Sequence, residues 1–408
     1  MATRLKVLMS AYACEPGRGS EPEVGWQWAL QMARFHGVTV VTRANNRAIL
    51  EAARARHLGT RPEFVYYDLP PWVLWLKRRG LPVALYYFLW QVGVRRYLGP
   101  RLAEFDLIHH ITFNSFRQPG FWWFCRKPVV LGPLGGGQVC PWRFLPSFGW
   151  EMVPEALRSL SVIGSRLLPH VYICFHFATR ILVANQDTLR RIPKRFRPKT
   201  TLLLETGIPS SQIQPPRNPR AEGPVRFIWV SRLEKIKACA LVVEAFSRAI
   251  KAEPTLRLSL VGDGPDAAFA RNTAARLGVG DKIQWHGRVA KDNIPRLLRE
   301  HDAFVFTSVR DTSGNVLLEG MAAGLPAITL RHHGAAEIAT DETAIRIPPT
   351  GFHETAAAIG EAMLRLARSP EQRARLGEAG RQRILEVYAW DRQGEQMDAI
   401  YRAAVGRA

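Results

Sequence analysis

One rhythm occurs twice in this chain and limits what it can fold into. A short apolar run is followed by a Gly-, Ser- or Pro-rich turn, a helix-forming stretch, and another apolar run. The first half opens with LKVLMSAYA (5–13), a loop CEPGRGSEPEVG (14–25), a helical WQWALQMARFHG (26–37) and a strand VTVVTR (38–43). Similar runs return at FDLIHHI (105–111), PVVLGP (128–133) and RILVAN (180–185). Strands that are apolar throughout are covered on both faces, which calls for a parallel sheet between layers of helices. The second half repeats the pattern with VRFIWVSR (225–232), a helix over 238–252, LRLSLVGDG (256–264), a helix over 265–277, IQWHGRV (283–289), a helix over 292–300, AFVFTS (303–308), a helix over 315–323 and PAITL (326–330).

Between the halves, RRIPKRFRPKT (190–200) and PSSQIQPPRNPRAEGP (209–224) have the weakest patterning, so the linker is expected there. At 408 residues the chain exceeds one typical core. The expectation is α/β, with two doubly wound Rossmann-like domains over 1–205 and 206–387 facing across a cleft. The tail over 370–404 reads as helical, and its end, from about 388 to 408, is expected to pack back on the first domain.

Chemistry concentrates in TSVRDTSGNVLLEGMAAGLP (307–326). The run from Asn315 has good helix formers and stops at Gly324 and Pro326. Ser313, Gly314, Asn315 and Val316 form its start, where small residues leave backbone N–H groups open and the helix dipole favours an anion such as a diphosphate. Glu319 lies one turn in, and helical side chains lean toward the N-terminus, so its carboxylate belongs beside that anion. Asp311 approaches from the other side. Carboxylates repel phosphate and accept hydrogen bonds from hydroxyls, so the pair fits a ligand that alternates hydroxyls and diphosphate, as a nucleotide-sugar does. The competing reading is a helix cap with a solvated Glu.

Arg232 and Lys237, in VSRLEKIK (230–237), are charge-assisted donors for the same diphosphate, or ordinary surface cations. LVGDGP (260–265) with Gly262 and WHGRV (285–289) with Gly287 and Val289 end strands in turns whose backbone suits a ligand or simply a tight turn. In order, these stretches and HHGAAEI (332–338) resemble the family-four retaining glycosyltransferases. The resemblance covers essentially the whole second domain. It implies a GT-B fold, a nucleotide-sugar donor and retention of anomeric configuration. It places phosphate contacts on Arg232 and Lys237, a ribose ligand on Glu319, and the sugar-holding acid on Asp311. That family carries Glu at this last position, and the shorter Asp leaves the donor sugar open.

In the first domain, GRGSEPEVGW (17–26) stands where the family has a Gly-rich loop over the donor phosphate, with Gly19 and Ser20 as its contacts. His109 and His110 end a strand where the family carries an active-site histidine. Neighbouring strand residues face opposite ways, so one of the two points away from the substrate. Both also suit a buried histidine satisfied by backbone. LGPLGGG (131–137) is a backbone approach or a plain tight turn.

No D-x-D pair follows an apolar strand, so no metal and no further cofactor are expected. Arg232, Lys237 and the helix start at Gly314 are expected to stabilise the leaving diphosphate instead. The five cysteines are scattered without metal-ligand spacing, which suits a reducing compartment. The N-terminus lacks a signal-peptide apolar core, and no segment reaches the roughly 20 apolar residues of a membrane span.

Residues 1–200 carry 28 Lys or Arg against 11 Asp or Glu, while residues 201–408 carry 28 against 24. That asymmetry points to an anionic partner of the first domain, or to an Arg-rich compositional bias. Within 69–101, Trp72, Trp75, Tyr86, Tyr87 and Trp90 alternate with Lys77, Arg78, Arg79, Arg95 and Arg96. This is the composition of a surface in a lipid headgroup layer, of a single-strand nucleic-acid groove, or of a core helix pair with basic ends. The expected function is retaining, metal-independent hexose transfer from a nucleotide-diphosphate sugar to a lipid-linked saccharide or other glycan precursor at the cytoplasmic membrane face, with no nucleic acid as partner. The alternative is a non-catalytic protein of this fold that binds anionic membrane or nucleic acid. A phosphorylase is a third reading, weakened by the lack of a lysine context for pyridoxal phosphate.

Overall fold

The computed structural model describes residues 3–113, 115–218, 220 and 223–406. Asn114 of the 105–120 stretch, three residues of the linker and the last two of the tail lie outside them. The chain divides into two compact units. One comprises 1–137, 162–205 and 390–408, and the other 138–161 and 206–389.

The first unit holds a seven-stranded sheet of β1 (Lys6–Ser10), β2 (Gly37–Thr42), β3 (Glu63–Tyr66), β4 (Leu107–His110), β5 (Val129–Leu134), β6 (Arg180–Val183) and β7 (Thr200–Leu202). Its order is β3-β2-β1-β4-β5-β6-β7 and every pairing is parallel. β1, β4 and β5 are buried almost throughout, as apolar strands covered on both faces must be. The edge strands β3 and β7 are half-buried or exposed, which is why no apolar run announces them.

The helix after β1 runs over Ser20–Phe35, six residues earlier than the sequence reading placed it. Pro22 falls in its first turn, where a missing N–H breaks no helical bond, so the Pro that reads as loop is compatible with a helix start. The C-terminal helix Trp390–Gly406 is part of this unit. Its Trp390, Met397 and Tyr401 are buried in the same core as Trp28, and Trp390 packs edge-on to Trp28 at 5.2 Å. Fully burying an aromatic or Leu-sized side chain contributes on the order of 1.5–3 kcal/mol, so these contacts hold the tail firmly.

The second unit holds β8 (Arg226–Val230), β9 (Arg257–Val261), β10 (Ile283–Gly287), β11 (Ala303–Phe306), β12 (Ala327–Leu330) and β13 (Ala344–Ile347), in the order β10-β9-β8-β11-β12-β13. All pairs are again parallel. The order reverses between β1 and β4 in one sheet and between β8 and β11 in the other. Ligands of open α/β sheets bind beyond the carboxyl ends of strands at such reversals. Residues 138–161 were assigned to the first domain from sequence. They belong to the second unit, because Phe144 and Phe148 are buried in its core with Trp229 and Phe246.

Candidate functional site

At the β8/β11 reversal, two loops are stitched together before any ligand is considered. The Thr307 hydroxyl donates to the Lys237 carbonyl at 2.9 Å and accepts from the Trp229 indole at 2.8 Å. The Val309 amide donates to the Ile236 carbonyl at 2.8 Å. The backbone of Lys237 is therefore fixed relative to the loop after β11. Its ammonium donates to Asp311 at 2.5 Å, and both side chains are largely buried. Asp311 also accepts from the Thr312 amide at 3.0 Å. An ammonium has three donors, so Lys237 keeps Asp311 and still offers N–H to a phosphate oxygen. Arg232, by contrast, is exposed and pairs with Glu234 at 2.6 Å.

The helix Asn315–Ala322 starts from Gly314 in the left-handed region, with φ 82°, and no side chain caps it. A Cβ on Gly314 would stand 2.9 Å from the Phe306 ring, so this position requires glycine twice over. The Ser313 hydroxyl is turned to the Asn315 side chain at 3.1 Å. The helix thus begins without a side-chain cap three residues after Asp311, the acid that holds Lys237, and its first N–H groups carry the positive end of its dipole. Glu319 is half-buried and lines a small crevice with Ile208, Pro295 and Leu298. Burial pushes its carboxyl up to about 6 against the pull of the Lys291 ammonium.

Gly262 has a reason to be glycine that needs no ligand. Its φ is 132°, and a Cβ there would stand only 1.8 Å from the Ser231 carbonyl oxygen. Its amide donates to the Gly287 carbonyl at 2.8 Å. Gly287, with φ 62°, has open space where a side chain would be, and Val289 two residues on is half-buried. Three participants went unassigned in the sequence reading. Arg310 pairs with buried Glu155 at 3.1 Å, His332 bonds the Val309 carbonyl at 3.0 Å, and Gly334 lets a helix come within 2.2 Å, at its would-be Cβ, of the Thr312 carbonyl. The glycine of HHGAAEI was the one visible signal among them.

At the β1/β4 reversal of the first unit, the two histidines separate. His109 is fully buried; its Nε2–H donates to the Gly132 carbonyl and its Nδ1 accepts from the Tyr401 hydroxyl, each at 2.5 Å. Both nitrogens are spent on the fold. His110 faces the other side, where Nε2 bonds the Tyr87 hydroxyl at 2.9 Å and Nδ1 has no partner. Burial holds the two rings down, to about 4 and about 3, so both are neutral at physiological pH. Beyond β1, Gly19 precedes the helix with φ 70° and Ser20 takes φ 51°, while open space surrounds Gly17 and Gly19. A non-glycine residue at positive φ is strained, and Ser20 holds that strain at a helix start.

The aromatic run 69–101 splits by helical face. On Val83–Leu98, Tyr86, Tyr87, Trp90 and Val94 are buried, and Tyr12 meets Tyr87 and Trp90 edge-on at 5.0 and 5.1 Å. Tyr86, Tyr87 and Trp90 are core residues, not the surface that the sequence reading made of them. Trp72, Trp75, Leu85, Phe88 and Val92 remain exposed. No helix among the described residues is long and apolar enough to cross a membrane. Nor do any three His, Cys, Asp or Glu side chains among them group as metal ligands.

Residues 210–383 match the family described as glycosyl transferases group 1. That match covers less than half of the chain and lies within the second unit. The chain is 24% identical over 298 residues to a GDP-mannose-dependent alpha-(1-6)-phosphatidylinositol monomannoside mannosyltransferase of Mycolicibacterium smegmatis, covering 68% of this chain and 74% of that one. It is 28% identical over 178 residues to an N-acetyl-alpha-D-glucosaminyl L-malate synthase of Bacillus anthracis, covering 43% of this chain and 44% of that relative. Among solved structures, Anabaena HepE in complex with UDP superposes with a TM-score of 0.61 at 14% identity, over 98% of this chain and all of that one. A sucrose-phosphate synthase from Thermosynechococcus elongatus gives 0.64 at 18%, over 99% and 100%. The chain thus has the α/β GT-B fold.

Proposed function

We propose that the protein moves a hexose from a nucleotide-diphosphate sugar to a lipid-linked saccharide or other glycan precursor at the cytoplasmic face of a membrane, with retention and without a divalent metal. The observation that carries this reading is the meeting of Lys237, Asp311 and an uncapped helix start at the carboxyl ends of β8 and β11. In this reading Lys237, Arg232 and the amides of Asn315 and Val316 hold the diphosphate, where they balance the charge that grows as it leaves. Asp311 and Glu319 accept from sugar and ribose hydroxyls. Gly19 and Ser20 contribute backbone to the donor phosphate, and Gly262, Gly287 and Val289 border the nucleoside. His110, whose Nδ1 is unengaged, is the histidine with a nitrogen to offer the reacting sugar.

The acceptor oxygen forms its bond to the anomeric carbon on the face from which the diphosphate departs. The carbon–oxygen bond to the phosphate breaks, and the acceptor proton passes to the departing diphosphate oxygen. The lipid-linked acceptor is supported by the relatives named for phosphatidylinositol monomannosides and by the exposed Trp72, Trp75 and Phe88 near Arg78 and Arg79.

Thermal-shift measurements with GDP-mannose, UDP-glucose and ADP-glucose test the donor. NMR of the product's anomeric centre tests retention, and transfer in the presence of a chelator tests metal independence. No shift with any nucleotide-sugar would defeat the donor reading, an inverted product the retention, and chelator-sensitive transfer the metal-free mechanism.

A further inference from the structure

Arg310, one residue before Asp311, is fixed at two points. At its backbone, the Ser308 hydroxyl stands 3.2 Å from both the Ile236 and the Arg310 carbonyl oxygens, a donor shared between the loops after β8 and β11. At its tip, the guanidinium closes on the Glu155 carboxylate at 3.1 Å. Glu155 comes from the helix Met152–Gly164, distant in sequence but part of the same compact unit. Val153, Leu157 and Leu160 of that helix are exposed, and the face turned inward carries its charges. Glu155 is buried, and Arg158 fixes it in turn with hydrogen bonds of 2.9, 3.1 and 3.2 Å, while donating to the Gln138 carbonyl at 3.0 Å. Burial and the like charge of Arg158 disfavour the charge on Arg310, and Glu155 and Asp311 favour it. A largely buried guanidinium in that balance stays where its carboxylate is.

We propose that Arg310, anchored by Glu155, is a positioning residue for the donor sugar and acts through Asp311. The inference rests on the nucleotide-sugar reading above. Its physical basis is reach. Asp311 carries its carboxylate on one methylene fewer than the Glu it stands for, so it has one side-chain torsion fewer with which to make up for a displaced backbone. Its backbone continues directly from Arg310, and Glu155 therefore sets where the acid meets sugar hydroxyls. Lys237 is placed differently. The Thr307 hydroxyl holds its carbonyl at 2.9 Å, a bond that does not pass through Arg310. The anchor thus governs the sugar contact and leaves the diphosphate contact alone.

The test separates sugar from diphosphate. The probes are GDP-mannose, UDP-glucose and ADP-glucose, each beside its nucleoside diphosphate GDP, UDP or ADP. The lead variant is R310M, which keeps an aliphatic stem and leaves Glu155 paired with Arg158; thermal unfolding verifies its fold. A misplacement of about 1 Å can cost roughly 100-fold in rate, so R310M is expected to lose about 10- to 100-fold in kcat and about 10-fold in affinity for the nucleotide-sugar, with nucleoside diphosphate affinity kept within about twofold. R310K returns a cation to Glu155 and is expected to recover most of that loss. E155Q is expected to reproduce the sugar-selective loss, and E155Q/R310M to be no worse than R310M, because the two residues act as one unit. If E155Q does not fold, the contrast of R310M with R310K decides alone. A merely structural anchor would lower unfolding stability and leave affinities and kcat per folded molecule unchanged, which overturns the proposal. Equal losses for nucleotide-sugar and nucleoside diphosphate, no recovery in R310K, or additive losses in E155Q/R310M overturn it as well. A wild type that none of the nucleotide-sugars shifts defeats the glycosyltransfer reading and this proposal with it, whereas a wild type and R310M that bind donor equally well overturn the positioning role alone.

Discussion

Replacing Glu319 by Gln is expected to make the protein more stable and a poorer donor binder. Burial raises the Glu319 carboxyl from 4.5 to about 6, so the fold disfavours its ionised form. Carried to free energy, that gap costs the folded state about 2 kcal/mol at pH values well above 6. The cost shrinks as pH falls through 6 and is gone below 4.5, where both folded and unfolded chains hold the proton. Gln keeps the shape without the charge. Relative to wild type it is expected to gain about 2 kcal/mol near pH 7.5 and about 0.8 kcal/mol near pH 5. It also gives up an anionic acceptor for ribose hydroxyls, and hydrogen bonds to charged groups are worth roughly 1.5–3 kcal/mol, so donor affinity is expected to fall about 10- to 100-fold. Urea unfolding at the two pH values reads the first effect, and titration calorimetry with the donor reads the second. A variant no more stable than wild type near pH 7.5, or a gain that does not shrink on acidification, refutes the account of a carboxylate held ionised at the fold's expense. Unchanged donor affinity refutes its role at the ribose.

Lys237→Ala removes the cation at the diphosphate and leaves the largely buried Asp311 without its partner; kcat is expected to fall about 10²–10³-fold, the range for losing one preorganised electrostatic donor. Steady-state kinetics check it, and activity within threefold of wild type sinks the assignment. His109→Leu orphans the Tyr401 hydroxyl and the Gly132 carbonyl, for an expected loss of about 1–3 kcal/mol in unfolding free energy with transfer per folded molecule kept. His110→Leu is expected to lower kcat more than it lowers stability, and the opposite pattern reverses the division between the two rings. Gly262→Ala is expected to cost more than about 3 kcal/mol or to block folding, because the methyl would sit against the Ser231 carbonyl at a φ of 132°; denaturant unfolding or soluble yield shows which.

The sheets were legible in sequence where strands are buried on both faces. The inner strands β1, β2, β4, β5, β6, β8, β9, β11 and β12 carry apolar runs, while β3, β7 and β13, at sheet edges, do not; β10, also an edge strand, shows only the mixed IQWHG. The helix start at Gly314 was legible for a related reason: an open N-terminus and a left-handed glycine are local properties, written in adjacent residues. What sequence could not supply was contact across distance. Nothing in IHHIT says that His109 meets a tyrosine 292 positions away while His110 keeps a nitrogen free. Nor does TSVRD say that Arg310 is held by Glu155.

Two helices, Val83–Leu98 and Met152–Gly164, face ways that sequence alone does not give. Helical period identifies a stripe but not which way it faces, and the usual inference turns the apolar stripe inward. On Val83–Leu98 apolar residues surround the helix, so composition suggested a lipid surface, yet Tyr86, Tyr87 and Trp90 close on Tyr12 while Val83, Leu85, Phe88, Val92 and Tyr97 are exposed. On Met152–Gly164 the stripe is clear, yet it faces out because Glu155 and Arg158 find their partners inside. An inward carboxylate that is paired twice, by Arg158 and Arg310, avoids the penalty an unpaired buried charge would carry, so the fold tolerates the inversion. The orientation of an amphipathic helix is therefore decided by whether its charges have partners in the core, and here one of those partners, Arg310, stands next to Asp311.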